Sequence, residues 1–91
     1  MAHISLRRPD DAALFRRNMS AEAAEAFDAV FKGARIYRVR WPADSGQGAV
    51  YLFVPRTGAN VYARTVAGVE VPYIADLFDA RATDWRVGEP S

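Results

Sequence analysis

The spacing of apolar residues in this 91-residue chain switches from helical to alternating, and the switch falls at Gly33. Before it, Ala23, Phe27, Val30 and Phe31 recur at the three-to-four-residue interval of one helix face. Ser20 suits the N-cap, Glu22 and Glu25 suit the positive end of the helix dipole, Lys32 falls in the last turn, and Gly33 stands just past it. After it the period is two, with Ile36, Arg38 and Arg40 on one face and Tyr37, Val39 and Trp41 on the other. A short chain that follows a helix with a run of strands has to bury sheet against helix, which confines it to an α+β arrangement.

The remaining segments fill in that arrangement. Residues 1–8 read as an extended arm, and Pro9-Asp10-Asp11 as a helix start with Leu14, Phe15 and Met19 as its apolar face. Pro42 to Gly48 is a turn-rich loop. Ala49 to Val54 is nearly all apolar, so that strand belongs in the sheet centre or between two layers. Pro55 to Gly58 turns the chain, and Val61 to Val66 alternates again, with Tyr62 and Arg64 opposite Val61 and Ala63. Ala67-Gly68 leads into a short strand at 69–71. Pro72 is expected to open a short helix with Ile74, Leu77 and Phe78 as its buried stripe and Asp76 and Asp79 outward. Trp85 to Val87 is the last strand, before a tail of four residues. The expected fold is a single α+β domain over 1–91: an N-terminal helix or helices, an antiparallel sheet of about four to five strands, and one short helix before the last strand.

Composition narrows the chemistry. About half the residues (51%) are hydrophobic, enough for a core, but a 90-residue chain buries only about two-thirds of its surface, so assembly with further copies would help it. The absence of cysteine rules out disulfides and thiolate metal sites. No run approaches the ~18 apolar residues of a membrane helix, and the first residues lack a signal-peptide apolar run, so the expected location is cytoplasmic. His3 is the single histidine, which argues against His-based acid–base or nucleophilic catalysis. A metal would need Asp76, Asp79 and Asp84, which read better as solvated charges, and Gly46-Gln47-Gly48 is too short for a phosphate loop. No catalysis and no cofactor are expected. The formal net charge of +1 argues against a nucleic-acid partner, whose affinity comes largely from phosphate neutralisation.

What remains is arginine and aromatic chemistry. The chain carries eleven arginines and one lysine, a bias that fits either phosphate recognition by the guanidinium fork or a GC-rich coding sequence. Trp41, Trp85, Tyr37, Tyr51, Tyr62 and Tyr73 supply rings that can anchor a core or stack on bases. If Arg38 turns inward beside Ile36, it needs an acidic or phosphate partner. Asp84 can be that partner or can cap backbone amides at the turn before Trp85.

These residues stand in an order that resembles the Thoeris anti-defence proteins of the second type, a family of small phage and prophage proteins. The shared pattern is a helix ending in Gly33, Arg38 three residues before Trp41, the Tyr51-Leu52-Phe53 strand, the Pro72-Tyr73 step, and the Asp79-Ala-Arg-Ala82-Thr-Asp84-Trp85 finish. It covers about residues 20–88, leaving 1–19 as an extension without a counterpart. Pro42 after the tryptophan and Tyr73 in place of a commoner tryptophan depart from the pattern. The resemblance implies a protein that binds a cyclic nucleotide immune messenger, a cyclic ADP-ribose isomer or a cyclic dinucleotide, without cleaving it. It also implies a homo-oligomer, dimer or tetramer, with the ligand held between subunits. The residues placed at that site by type and position are Arg38, Arg40 and Arg64 for phosphate, Trp41, Tyr73 and Trp85 for stacking or bounding the pocket, and Asp84 for a ribose hydroxyl, a base amine or the orientation of an arginine. A nanomolar binder would outcompete a micromolar receptor by about 4 kcal/mol. The alternative is a small inhibitor that uses the same residues to bind a host defence protein.

Overall fold

The computed structural model describes residues 11–56 and 60–89, with side chains from Phe15 onward. The expected arm at 1–8, with His3 in it, the first two residues of the Pro9-Asp10-Asp11 start, the Leu14 side chain, residues 57 and 58 of the turn, and the last two tail residues lie outside that description. Along the chain run α1 (Asp11–Asn18), α2 (Ala21–Phe31), β1 (Ile36–Arg38), β2 (Ala49–Phe53), β3 (Tyr62–Thr65), β4 (Glu70–Pro72), α3 (Leu77–Arg81) and β5 (Trp85–Val87). The five strands form one antiparallel sheet in the order β4-β3-β2-β1-β5. This is the expected α+β class, with the apolar β2 strand in the middle and the short helix just before the last strand.

Helix α2 forms as its sequence signals. The Ser20 hydroxyl accepts from the Ala23 amide at 3.0 Å and donates to the Ala82 carbonyl, so one side chain caps the helix and ties it to the far end of α3. Gly33 follows with φ of +105°, a conformation that only glycine adopts at little cost. Ala23, Ala26, Phe27 and Val30 then point at the sheet, where Ile36, Leu52, Ala63 and Trp85 meet them. Phe15 of α1 closes the cluster by packing edge-on to Phe27, with centroids 5.3 Å apart, so the stretch before residue 20 contributes to the core. Phe31, at the end of α2, is exposed.

Two irregularities decide which side chains face which way. In β2, Ala49 pairs with Thr65 but Tyr51 with Arg64, so Val50 is an extra residue on its strand. The bulge shifts the alternation: Ala49 and Leu52 are both buried, and Tyr51 and Phe53 are turned to the other face. The second irregularity shortens β1. An alternating strand over 35–41 was expected, but only Ile36–Arg38 is strand. The Trp41 amide donates back to the Arg38 carbonyl at 3.0 Å and the Asp44 amide to that of Arg40 at 3.1 Å. That turn takes Trp41 off the Tyr37 face and into the core.

The segment after β4 also differs from expectation. Pro72 ends a strand instead of opening a helix; α3 starts at Leu77, with the Asp76 carboxylate accepting from the Asp79 amide at 2.7 Å. The late start rotates the helix. Asp79, expected outward, is buried at 5% exposure together with Ala80, while Ile74, Leu77 and Phe78, the expected buried stripe, are exposed, Phe78 to 83%. Tyr73 takes the inward position in their place. Between β3 and β4, the Thr65 amide and carbonyl bond Val69 and Gly68, and Gly68 at φ of +81° supplies the left-handed residue that a three-residue hairpin loop requires. No helix among the described residues is long and apolar enough to cross a membrane.

Candidate functional site

The seven residues singled out from the sequence divide between three places. Arg38, Trp41, Tyr73, Asp84 and Trp85 converge on the helix-covered face of the sheet. Arg40 brings only its backbone there, since its guanidinium is exposed, 3.7 Å from Asp44. Arg64 lies on the opposite face, beside Tyr51 in register.

The converging group is built around a buried charge. Arg38 is 9% exposed because its strand position faces inward. Its Nε donates to Asp84 Oδ1 at 2.8 Å and its Nη1 to Asp79 Oδ1 at 3.1 Å. Asp79 Oδ2 accepts from the Tyr73 hydroxyl at 2.7 Å, and the Asp79 carbonyl from the Trp85 indole at 2.8 Å. Asp84 Oδ2 accepts from the Arg40 amide at 3.0 Å, so this carboxylate both pairs with Arg38 and holds backbone at the turn. The two acids respond differently. Burial pushes the Asp79 carboxyl up, and neighbouring Asp76 adds to that against the opposing Tyr73 and Arg38 bonds. Burial would also raise Asp84, but the Arg38 guanidinium and the Arg40 amide outweigh it and hold the carboxyl below its usual range. Burial and Asp79 push the Tyr73 hydroxyl well up, so Tyr73 stays a neutral donor. Burial works against the Arg38 charge, yet its bonds to Asp84 and Asp79 prevail and raise it.

Around this network the rings pack on one another. Trp41 meets Trp85 edge-on at 5.2 Å, Trp85 meets Phe27 at 5.1 Å, and Tyr73 lies 6.1 Å from Phe27. Within one chain the arginine is already neutralised and the rings are already covered. The Trp41 indole nitrogen is the exception: it is buried with no acceptor among the described residues.

The other face of the sheet carries a second set of rings, with arginines held only in exposed pairs beside them. Tyr51 and Phe53 of β2 lie 5.9 Å apart, and Phe53 lies 6.4 Å from Tyr62 of β3, its register partner. The guanidinium of Arg35 sits 4.7 Å over the Tyr51 ring. Tyr37 and Arg86, paired in register, continue the face towards β5, although Tyr37 also touches the core. Arg64 reaches the Gly68 carbonyl at 2.9 Å and Glu70 at 3.5 Å, and Arg35 reaches Glu89 at 2.6 Å. The four rings are half-buried, and Tyr51, Phe53 and Tyr62 lie outside the core cluster under the helices. Of these residues, sequence reasoning placed only Arg64 in the site. The alternation of Val61 to Val66 did put Tyr62 beside Arg64, but the bulge that adds Tyr51 and Phe53 has no sequence signal.

Among the described residues, no group of histidine, cysteine, aspartate and glutamate is arranged to hold a metal. No family model matches this chain, and no curated protein or solved structure matches it either.

Proposed function

We propose that this protein is a non-catalytic binder that sequesters a cyclic nucleotide messenger, a cyclic ADP-ribose isomer or a cyclic dinucleotide, on the open face of its sheet. The observation that carries the reading is the contiguous run of Tyr51, Phe53 and Tyr62 with Arg35 and Arg64 beside it. Rings of this kind stack on nucleobases, and guanidinium groups pair with phosphate oxygens. The resemblance to the Thoeris anti-defence family supports the same ligand class. With it go assembly into dimers or tetramers and action in the cytoplasm of a host cell. In this reading Arg38, Trp41, Tyr73, Asp84 and Trp85 act behind the face, by fixing β1 and β5, and the phosphate contacts fall to Arg35 and Arg64.

The test is mass spectrometry of small molecules released by heating the purified protein after exposure to extract from cells with an activated messenger synthase. An intact cyclic nucleotide in near-stoichiometric yield is the expected result. A cleaved product would overturn the non-catalytic part. An empty protein, with messenger confirmed in the extract, would favour a second reading. That reading is direct inhibition of a host protein through three exposed apolar side chains at the start of α3, Ile74 just before it and Leu77 and the 83%-exposed Phe78 in its first turn.

A further inference from the structure

The open face is wider than a single nucleotide needs. Arg64 on β3 and Arg86 on β5 are separated by β2 and β1, three strand spacings or about 14 Å. Between them the rings run across the sheet, from Tyr37 on β1 through Tyr51 and Phe53 on β2 to Tyr62 on β3. A ligand with one phosphate can use one end of this span. A chain of nucleotides can use both, with bases on the rings and phosphates towards the arginines. The four rings are half-buried in the sheet surface and do not project far enough to enter a duplex groove, so bases must come to them already unstacked. Three of the four rings are tyrosines, and their hydroxyls have no partner among the described residues, which leaves them free to bond a ribose 2′-hydroxyl.

We infer that the open sheet face of β1, β2, β3 and β5 binds single-stranded RNA, with Tyr37, Tyr51, Phe53 and Tyr62 stacking on successive bases and Arg35, Arg64 and Arg86 taking the phosphates. The inference rests on the same reading of the rings as a nucleotide platform and extends it from a small messenger to a linear chain. Stacking is indifferent to base identity, so the binding is sequence-tolerant. The low net charge is consistent with a local contact: Arg35 and Arg64 sit in exposed ion pairs with Glu89 and Glu70, weak enough to be exchanged for phosphate, and with Arg86 they set the salt dependence.

The experiment is fluorescence anisotropy with fluorescein-labelled decauridylate and the full chain, alongside calorimetric titration with cyclic di-AMP and a cyclic ADP-ribose isomer. Expected are saturable binding, weaker binding of the matching deoxythymidine decamer, and no competition by duplex DNA. Log affinity should fall against log salt with a slope of about −2 for three phosphates, and Arg86→Gln should reduce that slope by about 0.7. Tyr51→Leu and Phe53→Leu keep apolar bulk and fold, and each should weaken binding about tenfold through loss of stacking; Phe78→Ser, off the face, should leave it unchanged. Decamer binding that survives both leucine variants would overturn the inference, as would equal competition by duplex. Equal affinity for the deoxy decamer would overturn the assignment to RNA. No decamer binding while a cyclic nucleotide still binds would overturn this inference and leave the messenger reading standing. Failure of every nucleotide would overturn both.

Discussion

The two faces of the sheet carry the same kinds of side chain and use them in opposite ways. On the helix-covered face, the Arg38 guanidinium holds two carboxylates, Tyr73 holds one of them, and Trp41, Trp85, Tyr73 and Phe27 are packed ring to ring. On the open face, Arg35 lies over Tyr51 and four rings stay half-exposed. The difference shows that an arginine-and-aromatic signature in a sequence identifies no binding site by itself. A small domain needs rings for its core and a partner for any charge that it buries, and these demands are met from the same residue types. What distinguishes the open face is that its rings stay half-exposed and its arginines pair only with exposed acids, which are worth little and can be exchanged for a ligand.

The sharpest way to break this contrast is to remove the buried cation. Arg38→Leu leaves the Asp79 carboxylate buried without its counter-charge, and the expected loss is about 3–5 kcal/mol, read as a lower denaturant midpoint at unchanged slope. Adding Asp79→Asn should return part of it, because the orphaned charge is then gone while Tyr73 keeps an acceptor. Arg35→Leu on the open face should cost far less, since its ion pair with Glu89 is exposed. Equal losses from Arg38→Leu and Arg35→Leu would mean that the two faces do not differ as described.

Acid resolves the two carboxylates. Asp84 is held below its unfolded value, so its contribution is present above a pH of about 3.9 and fades as pH falls through its folded value. Asp79 is raised, so the folded state binds its proton more readily. Its ionisation therefore costs stability as pH climbs from about 3.9 through the folded value, and acid relieves that cost. Lowering the pH from 7 should first stabilise the protein and then destabilise it. Asp79→Asn should remove the initial rise, and Asp84→Asn should flatten the later fall. Denaturant midpoints measured in steps between pH 3 and pH 7 check both limbs, and a wild-type curve that only declines would contradict the Asp79 assignment.

The course of the chain was more legible in the sequence than the direction of its side chains, for a physical reason. Ser20, Gly33 and Gly68 act locally, through caps and backbone angles, so the bounds of α2 and the β3–β4 turn follow from short segments. The need of Arg38 for an acid, and Asp84 as that acid, were also readable, because burying a charge without a partner is costly. Facing is decided elsewhere. The Val50 bulge reverses which β2 residues are inward, the turn at Arg40 swings Trp41 into the core, and the start of α3 at Leu77 exchanges Phe78 for Asp79. Each depends on contacts between segments distant in sequence, such as Arg38 with Asp79 and Arg40 with Asp84. Five of the seven candidate residues therefore come together, but around a buried guanidinium on the helix-covered face.

The two tryptophans give a smaller and more discriminating comparison within the covered face. Trp85 donates its indole proton to the Asp79 carbonyl, and Trp41 has no acceptor among the described residues. Trp85→Phe removes a satisfied buried bond and leaves a carbonyl without its donor, an expected loss of about 1–3 kcal/mol. Trp41→Phe removes an unsatisfied donor. The smaller ring forfeits some packing against Trp85 and Tyr73, but the desolvation of a lone N–H disappears, and the net change is expected to be smaller than for Trp85→Phe.

The smallest stability effect is expected on the open face, where it separates fold from binding. Phe53 lies against Tyr51 and Tyr62 and outside the core cluster. Phe53→Leu keeps a branched apolar side chain on the central strand and loses only ring–ring contact, worth about 0.5–1 kcal/mol for a cross-strand aromatic pair. The thermal midpoint should drop by no more than roughly 4–8 °C, the shift that about 1 kcal/mol produces in a domain of this size. Nucleotide affinity should fall far more in proportion, because the stacking surface is what the substitution removes. Thermal melts and binding isotherms on the same preparation give the answer together. A large drop in midpoint would place Phe53 in the core beside Leu52. An unchanged affinity for every nucleotide that the wild type binds would move the ligand off this face and back to the side that Arg38 and Asp84 organise.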